Sequence, residues 1–106
     1  GVLITSAFAG WDGVIEEDTR IIFTQKNQVV STPFSIDSIH WRSASDDEIG
    51  GSSGFVLVGS DYVRIAECQA TDVHDQCDFV FNTPVIAQEL RVTQMDGNLF
   101  IYGKRR

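Results

Sequence analysis

The stretch from Cys77 to Gly103 constrains this chain most. Cys77-Asp-Phe-Val-Phe81 is followed by Asn82-Thr-Pro84, then by Gln88-Glu-Leu-Arg-Val-Thr93, an Asp96-Gly97 pair and Asn98-Leu-Phe-Ile-Tyr-Gly103. β-Branched and aromatic residues at period two suit a pleated, half-buried strand. Pro and Asp-Gly punctuate turns, because Pro lacks an N–H and Asp-Gly tolerates positive φ. No helix-length apolar period competes. The pattern predicts an all-β domain with strands near 78–81, 88–93 and 99–102 and a turn at Asn82–Pro84. In the middle strand Leu90 and Val92 point inward, while Glu89, Arg91 and Thr93 point outward.

The rest of the chain reads the same way. Val2–Thr5, Arg20–Thr24 and Gln28–Thr32 are short strand candidates, the last ended by Pro33. Glu16–Thr19 could open a single helical turn, but nothing periodic continues it. Along Phe34–Ser43 the apolar residues switch face at Ser38 or Ile39, from Phe34 and Ile36 to Ile39 and Trp41, which predicts a bulge there. Phe55–Val58 is apolar on both faces, as a fully buried strand is. Gly59–Asp61 turns, and Tyr62–Ala66 continues the sheet. About eight short strands without an internal repeat describe an antiparallel sandwich or barrel, not a solenoid or propeller.

With 106 residues the chain is expected to be one domain, residues 1–106, able to bury a real core. Hydrophobic residues at 42% and charged residues at 22% are ordinary for a globular fold. Lacking an initiating Met, it is expected to be a processed product or a domain excised from a larger protein. No apolar run is long enough for a membrane span. The formal net charge is −7. Three of the eight Lys and Arg are Lys104, Arg105 and Arg106, so the body carries five basic residues against fifteen acidic. Phosphate backbones and anionic leaflets repel such a body, which argues against nucleic-acid binding.

Cys68 and Cys77 fit neither a zinc nor a redox spacing. If their flanking strands pair as a hairpin, the thiols could face each other across its mouth. A disulfide would then stabilise by about 3 kcal/mol. The other reading is two half-buried free thiols in a reducing compartment.

The segment from Phe34 to Gly103 also carries a family resemblance. Ile36-Asp-Ser-Ile-His-Trp41, Phe55-Val-Leu-Val-Gly-Ser-Asp61, Pro84-Val-Ile-Ala-Gln-Glu-Leu-Arg-Val92 and Asn98-Leu-Phe-Ile-Tyr-Gly103 follow one another in order. Together they resemble the galactose-binding-domain-like jelly roll, which includes discoidin (coagulation factor 5/8 type C) domains and related carbohydrate-binding modules. The resemblance implies a β-sandwich of jelly-roll type, and a lectin-like module of that kind often holds a structural calcium.

Candidate chemistry is concentrated in turns and loops. Trp11, flanked by Gly, either stacks on a sugar ring with Asp12 accepting from its hydroxyls, or folds back over a core edge. His40 and Arg42 either donate to a ligand at a loop end or are simply solvated, with Trp41 facing the core between them. Asp46, Asp47 and Glu48 form an acidic loop whose hard oxygens suit calcium, or only water. Asp75, with Asp72, His74 and Asp78, is a second polar cluster without a tetrahedral metal set.

No linear catalytic motif is present, and with only His40 and His74 a triad would need Ser or Cys beside one of them. The chain therefore reads as a non-catalytic, extracellular or cell-surface module that binds a glycan or glycoprotein through loops at one end of the sandwich. Trp11, Asp12, His40, Arg42 and Asp75 are the ligand-binding candidates. The alternative is a protein–protein interaction or assembly domain.

Overall fold

The computed structural model describes residues 13–43, 54–69 and 76–106. Nine strands run through them: β1 (Ile15–Glu16), β2 (Arg20–Phe23), β3 (Gln28–Val30), β4 (Phe34–Arg42), β5 (Gly54–Val58), β6 (Arg64–Gln69), β7 (Gln76–Ala87), β8 (Leu90–Met95) and β9 (Asn98–Arg105). One five-stranded sheet has the order β1-β2-β9-β4-β7, and a four-stranded sheet has the order β3-β8-β5-β6. Every pairing is antiparallel. With β1 set aside, β2-β9-β4-β7 against β3-β8-β5-β6 is the strand order of two Greek keys folded together, a jelly roll. The fold class expected from the sequence is therefore observed, with β1 as an added edge.

Burial explains the order. Phe23, Trp41 and Leu99 come from adjacent strands of one sheet, and Leu57, Leu90 and Val92 come from the other; all are fully buried between the layers. Each such side chain contributes about 1.5–3 kcal/mol when removed from water. Leu90 and Val92 point inward as their alternation predicts. Phe55–Val58 is buried at every position except Val56.

β4 satisfies its two apolar pairs through a bulge. Its register shifts between Ile36 and Ser38 on both sides: against β9 Asp37 is the extra residue, whereas against β7 the extra residues are Phe81–Pro84 of β7. Phe34, Ile36, Ile39 and Trp41 all reach the core as a result. The bulge lies one step nearer the N-terminus than the sequence pattern alone indicates. Across from it, Ile36 pairs with Gly103. A Cβ at Gly103 would run into the Ser35 carbonyl, so only glycine permits this close backbone approach.

Several local expectations are corrected. Asn82–Pro84 is not a turn between two strands: β7 spans twelve residues through it, with Phe81–Pro84 bulging out of the ladder to β4. β7 is an edge strand, and an edge can accept a residue that offers no N–H to a neighbour. Glu16–Thr19 opens no helical turn; β1 ends at Glu16 and the chain bends into β2. Tyr62 belongs to the turn before β6, not to the strand. Asp61 and Tyr62 there have φ of 59° and 58°.

Cys68 and Cys77 form a disulfide, but not across a hairpin mouth. Cys68 lies on β6, paired with Phe55 of β5, while Cys77 lies on β7, paired with Trp41 of β4. The bond therefore joins the edge strands of two different sheets. Among the described residues, no helix is long and apolar enough to cross a membrane.

Candidate functional site

The bulge in β4 decides which side chains leave the core. Beyond it Ile39 and Trp41 point inward, so Ser38, His40 and Arg42 share the outer face of the five-stranded sheet. Register then assigns their neighbours. Ser38 lies between Tyr102 of β9 and Val80 of β7, His40 between Phe100 and Asp78, and Arg42 between Asn98 and Gln76. The His40 row continues through Phe100 to Ile22 and Ile15, which are buried yet lie outside the core cluster. Trp41, between the outward pair, is fully buried and donates from Nε1 to the Asp96 carbonyl at 2.6 Å.

Asp78 organises the polar part of this face. His40 Nδ1 lies 2.6 Å from Asp78 Oδ1, and Arg42 Nη1 donates to the same oxygen at 3.0 Å. Gln76 Nε2 reaches Asp78 Oδ2 at 3.4 Å. The second ring nitrogen of His40, Nε2, lies 3.1 Å from Ser38 Oγ. The Tyr102 ring meets His40 edge-on at 5.5 Å between centroids. On the far side of Tyr102, Arg20 is its register partner. The hydrogen bond from His40, then that from Arg42, holds the Asp78 carboxyl below the ordinary carboxylate range. His40 is part-buried and Arg42 and Asp78 are exposed, so the network is reachable from solvent.

Between these groups lies a shallow depression of about 410 Å³ lined by His40, Arg42, Phe100 and Tyr102. It offers aromatic surface, an imidazole and a guanidinium in one place. Of the residues singled out in the sequence, His40 and Arg42 are brought together here, on a sheet face instead of a loop end. Trp11, Asp12, Asp46, Asp47, Glu48 and Asp75 lie outside the described residues. Among the described residues, no group of three or more His, Cys, Asp or Glu is placed to hold a metal ion.

Sequence reading missed Ser38, Asp78, Phe100 and Tyr102 as members of one site. Phe100 and Tyr102 had a signal, since they are the outward positions of an alternating strand whose Leu99 and Ile101 face the core. Outward aromatics on a strand are the informative exception to inward burial. The His40–Asp78 pairing had none, because 38 residues separate the two and only strand register joins them.

A scan against protein-family models and searches of curated proteins and of solved structures found no match to this chain.

Proposed function

We propose that this domain binds a glycan on the outer face of its five-stranded sheet. The observation that carries the reading is the depression in which the Phe100 and Tyr102 rings adjoin His40 and Arg42. A pyranose has an apolar C–H face and a rim of hydroxyls. It matches a surface where aromatic rings and fixed donors lie side by side. Arg42 would donate to the sugar oxygens, the His40 ring would flank the sugar with both nitrogens engaged by Asp78 and Ser38, and Asp78 would hold both residues in place. A shallow, open site suits a chain of sugars better than a small enclosed ligand. The discoidin-like resemblance of residues 34–103 belongs to the same proposal, and the jelly-roll strand order is the support it has. The Cys68–Cys77 disulfide supports an extracellular or cell-surface setting, since such bonds persist in oxidising compartments.

The test is a glycan array probed with the wild-type protein and with Arg42→Ala and Tyr102→Ala, in calcium and again in EDTA. The expected result is a coherent glycan set bound by the wild type and lost in both variants, with thermal unfolding unchanged. Loss of signal in EDTA would show that binding needs a metal, with the acidic loop at Asp46–Glu48 as the candidate holder to test by substitution. A blank array from folded protein would overturn the glycan reading.

One observation favours a protein partner instead. Tyr62 and Val63, each 65% exposed, and Ile86, 53% exposed, lie where β6 and β7 part. Val63 and Ile86 line a groove of about 390 Å³ there, with Gly59 and Arg64. Exposed apolar side chains gathered at one groove are a feature of protein contact surfaces.

A further inference from the structure

We infer that Ser38, His40 and Asp78 form a nucleophile–base–carboxylate relay that cleaves small carboxylic esters through an acyl intermediate on Ser38. The inference goes beyond ligand binding and does not depend on the glycan reading.

Geometry carries it. The two nitrogens of one imidazole face the two partners that such a relay needs. Nδ1 lies 2.6 Å from the Asp78 carboxylate and Nε2 lies 3.1 Å from the Ser38 hydroxyl. An ionised carboxylate only accepts hydrogen bonds, so in the neutral ring the proton sits on Nδ1. Nε2 then presents a lone pair to Ser38 Oγ–H, the arrangement in which a histidine takes a proton from an attacking hydroxyl. Asp78 is held ionised and oriented by Arg42 and Gln76 as well as by His40. The Tyr102 ring against His40 restrains the imidazole further.

The bulge supplies a second, independent argument. Without Asp37 as an extra residue, strict alternation from Phe34 and Ile36 would turn Ser38 toward the core and His40 with it. The register shift puts Ser38 on the outer face, two residues from His40 and beside it. A bulge disrupts ladder pairing locally and re-aims a side chain, and such features recur next to active sites. Here the side chain it re-aims is the hydroxyl that meets the imidazole.

The reaction balances with the groups present and water. Ser38 Oγ bonds to the ester carbonyl carbon while its proton passes to His40 Nε2. The C–O bond to the alcohol breaks, and the departing oxygen takes that proton from the imidazolium. Water then attacks the acyl-Ser38 carbonyl, again giving a proton to Nε2. The Ser38 Oγ–C bond breaks, the proton returns to Oγ, and the carboxylic acid leaves. Tyr102 lies directly across the ladder from Ser38 and walls the reacting carbonyl on that side. The shallow depression next to His40 suits an acyl group of few atoms on a larger alcohol.

The test uses a fluorophosphonate probe, which phosphonylates an activated serine with loss of fluoride, and mass spectrometry to locate the label. Hydrolysis of p-nitrophenyl acetate is followed in parallel. The expected result is one label, on Ser38, absent in Ser38→Ala and formed roughly 100-fold more slowly in His40→Ala. His40→Gln retains a hydrogen-bonding side chain without a base, and serves if His40→Ala fails to fold. For Asp78 as a positioning residue, Asp78→Asn should lower the maximal labelling rate and shift its pH profile, with the half-saturating probe concentration unchanged. An unchanged pH profile with a lowered melting temperature would overturn the part given to Asp78. The relay as a whole is overturned if folded wild-type protein stays unlabelled, if the label sits elsewhere, or if Ser38 is labelled at the wild-type rate without His40.

Discussion

The two faces of β4 divide the work of this domain. Inward, Phe34, Ile36, Ile39 and Trp41 are completely buried and hold the layers together. Outward, Ser38 and His40 are part-exposed and Arg42 is exposed; His40 and Arg42 are held by side-chain hydrogen bonds to Asp78 of β7, and Ser38 by one to His40. One strand, read at period two, thus serves stability on one side and chemistry on the other. Changes on the two faces should therefore act on different observables: the inner face on unfolding, the outer face on binding and reactivity.

The strongest way to test the inner side is Trp41→Ala. It should destabilise by about 3–5 kcal/mol in chemical denaturation, since it opens a large cavity and removes the Nε1 hydrogen bond to the Asp96 carbonyl. A loss below about 1 kcal/mol would break the division at its root. Next in size is the double change Cys68→Ser and Cys77→Ser. It should lower stability by about 3 kcal/mol and leave the outer-face chemistry intact. The outer side predicts the opposite pattern. Arg42→Ala should shift unfolding by less than about 1 kcal/mol, because its ion pair with Asp78 is solvent-exposed, yet abolish array binding.

The smallest effect is a pH dependence. The Asp78 carboxyl is held below its ordinary range in the folded chain, so its contribution is fully present above the unfolded carboxylate pKa. It is lost as pH falls through the folded value. Melting temperatures of wild type and Asp78→Asn should converge on acidification below about pH 4. A constant gap would show that Asp78 acts through packing alone.

How much of this was legible in the sequence follows from the range of the interactions involved. The strand content, the inward Leu90 and Val92 and the Asp96-Gly97 turn are local facts; Gly97 sits at φ 94°, where glycine is at ease. The bulge was legible because two apolar pairs demanded opposite faces. The turn beginning at Gly59 was legible too, but the conformation of Asp61 and Tyr62 within it was not. Both adopt positive φ without being glycine. Tertiary contacts accompany that conformation: the Arg91 guanidinium lies 5.4 Å from the Tyr62 ring centroid, with Arg91 Nε 3.6 Å from Glu89, too long for a hydrogen bond. Pro84 misled for a related reason. A turn and a free sheet edge both tolerate its missing N–H, and only the strand order separates them. The site was half legible. His40 and Arg42 announced themselves by type and alternation, whereas Ser38 and Asp78 gained meaning only when β4 was laid beside β7.

The disulfide has a mechanical consequence. It clasps the two longer edges, β6 and β7, while the opposite flank ends in strands of only three and two residues, β3 and β1. A sandwich fastened along one side opens like a book about its spine. Breathing should therefore begin at β1 and β3 and fade toward the clasp, so that amide exchange runs fastest on the flank farthest from His40 and Asp78. The sheet surface that carries the chemistry then lies on the fastened flank.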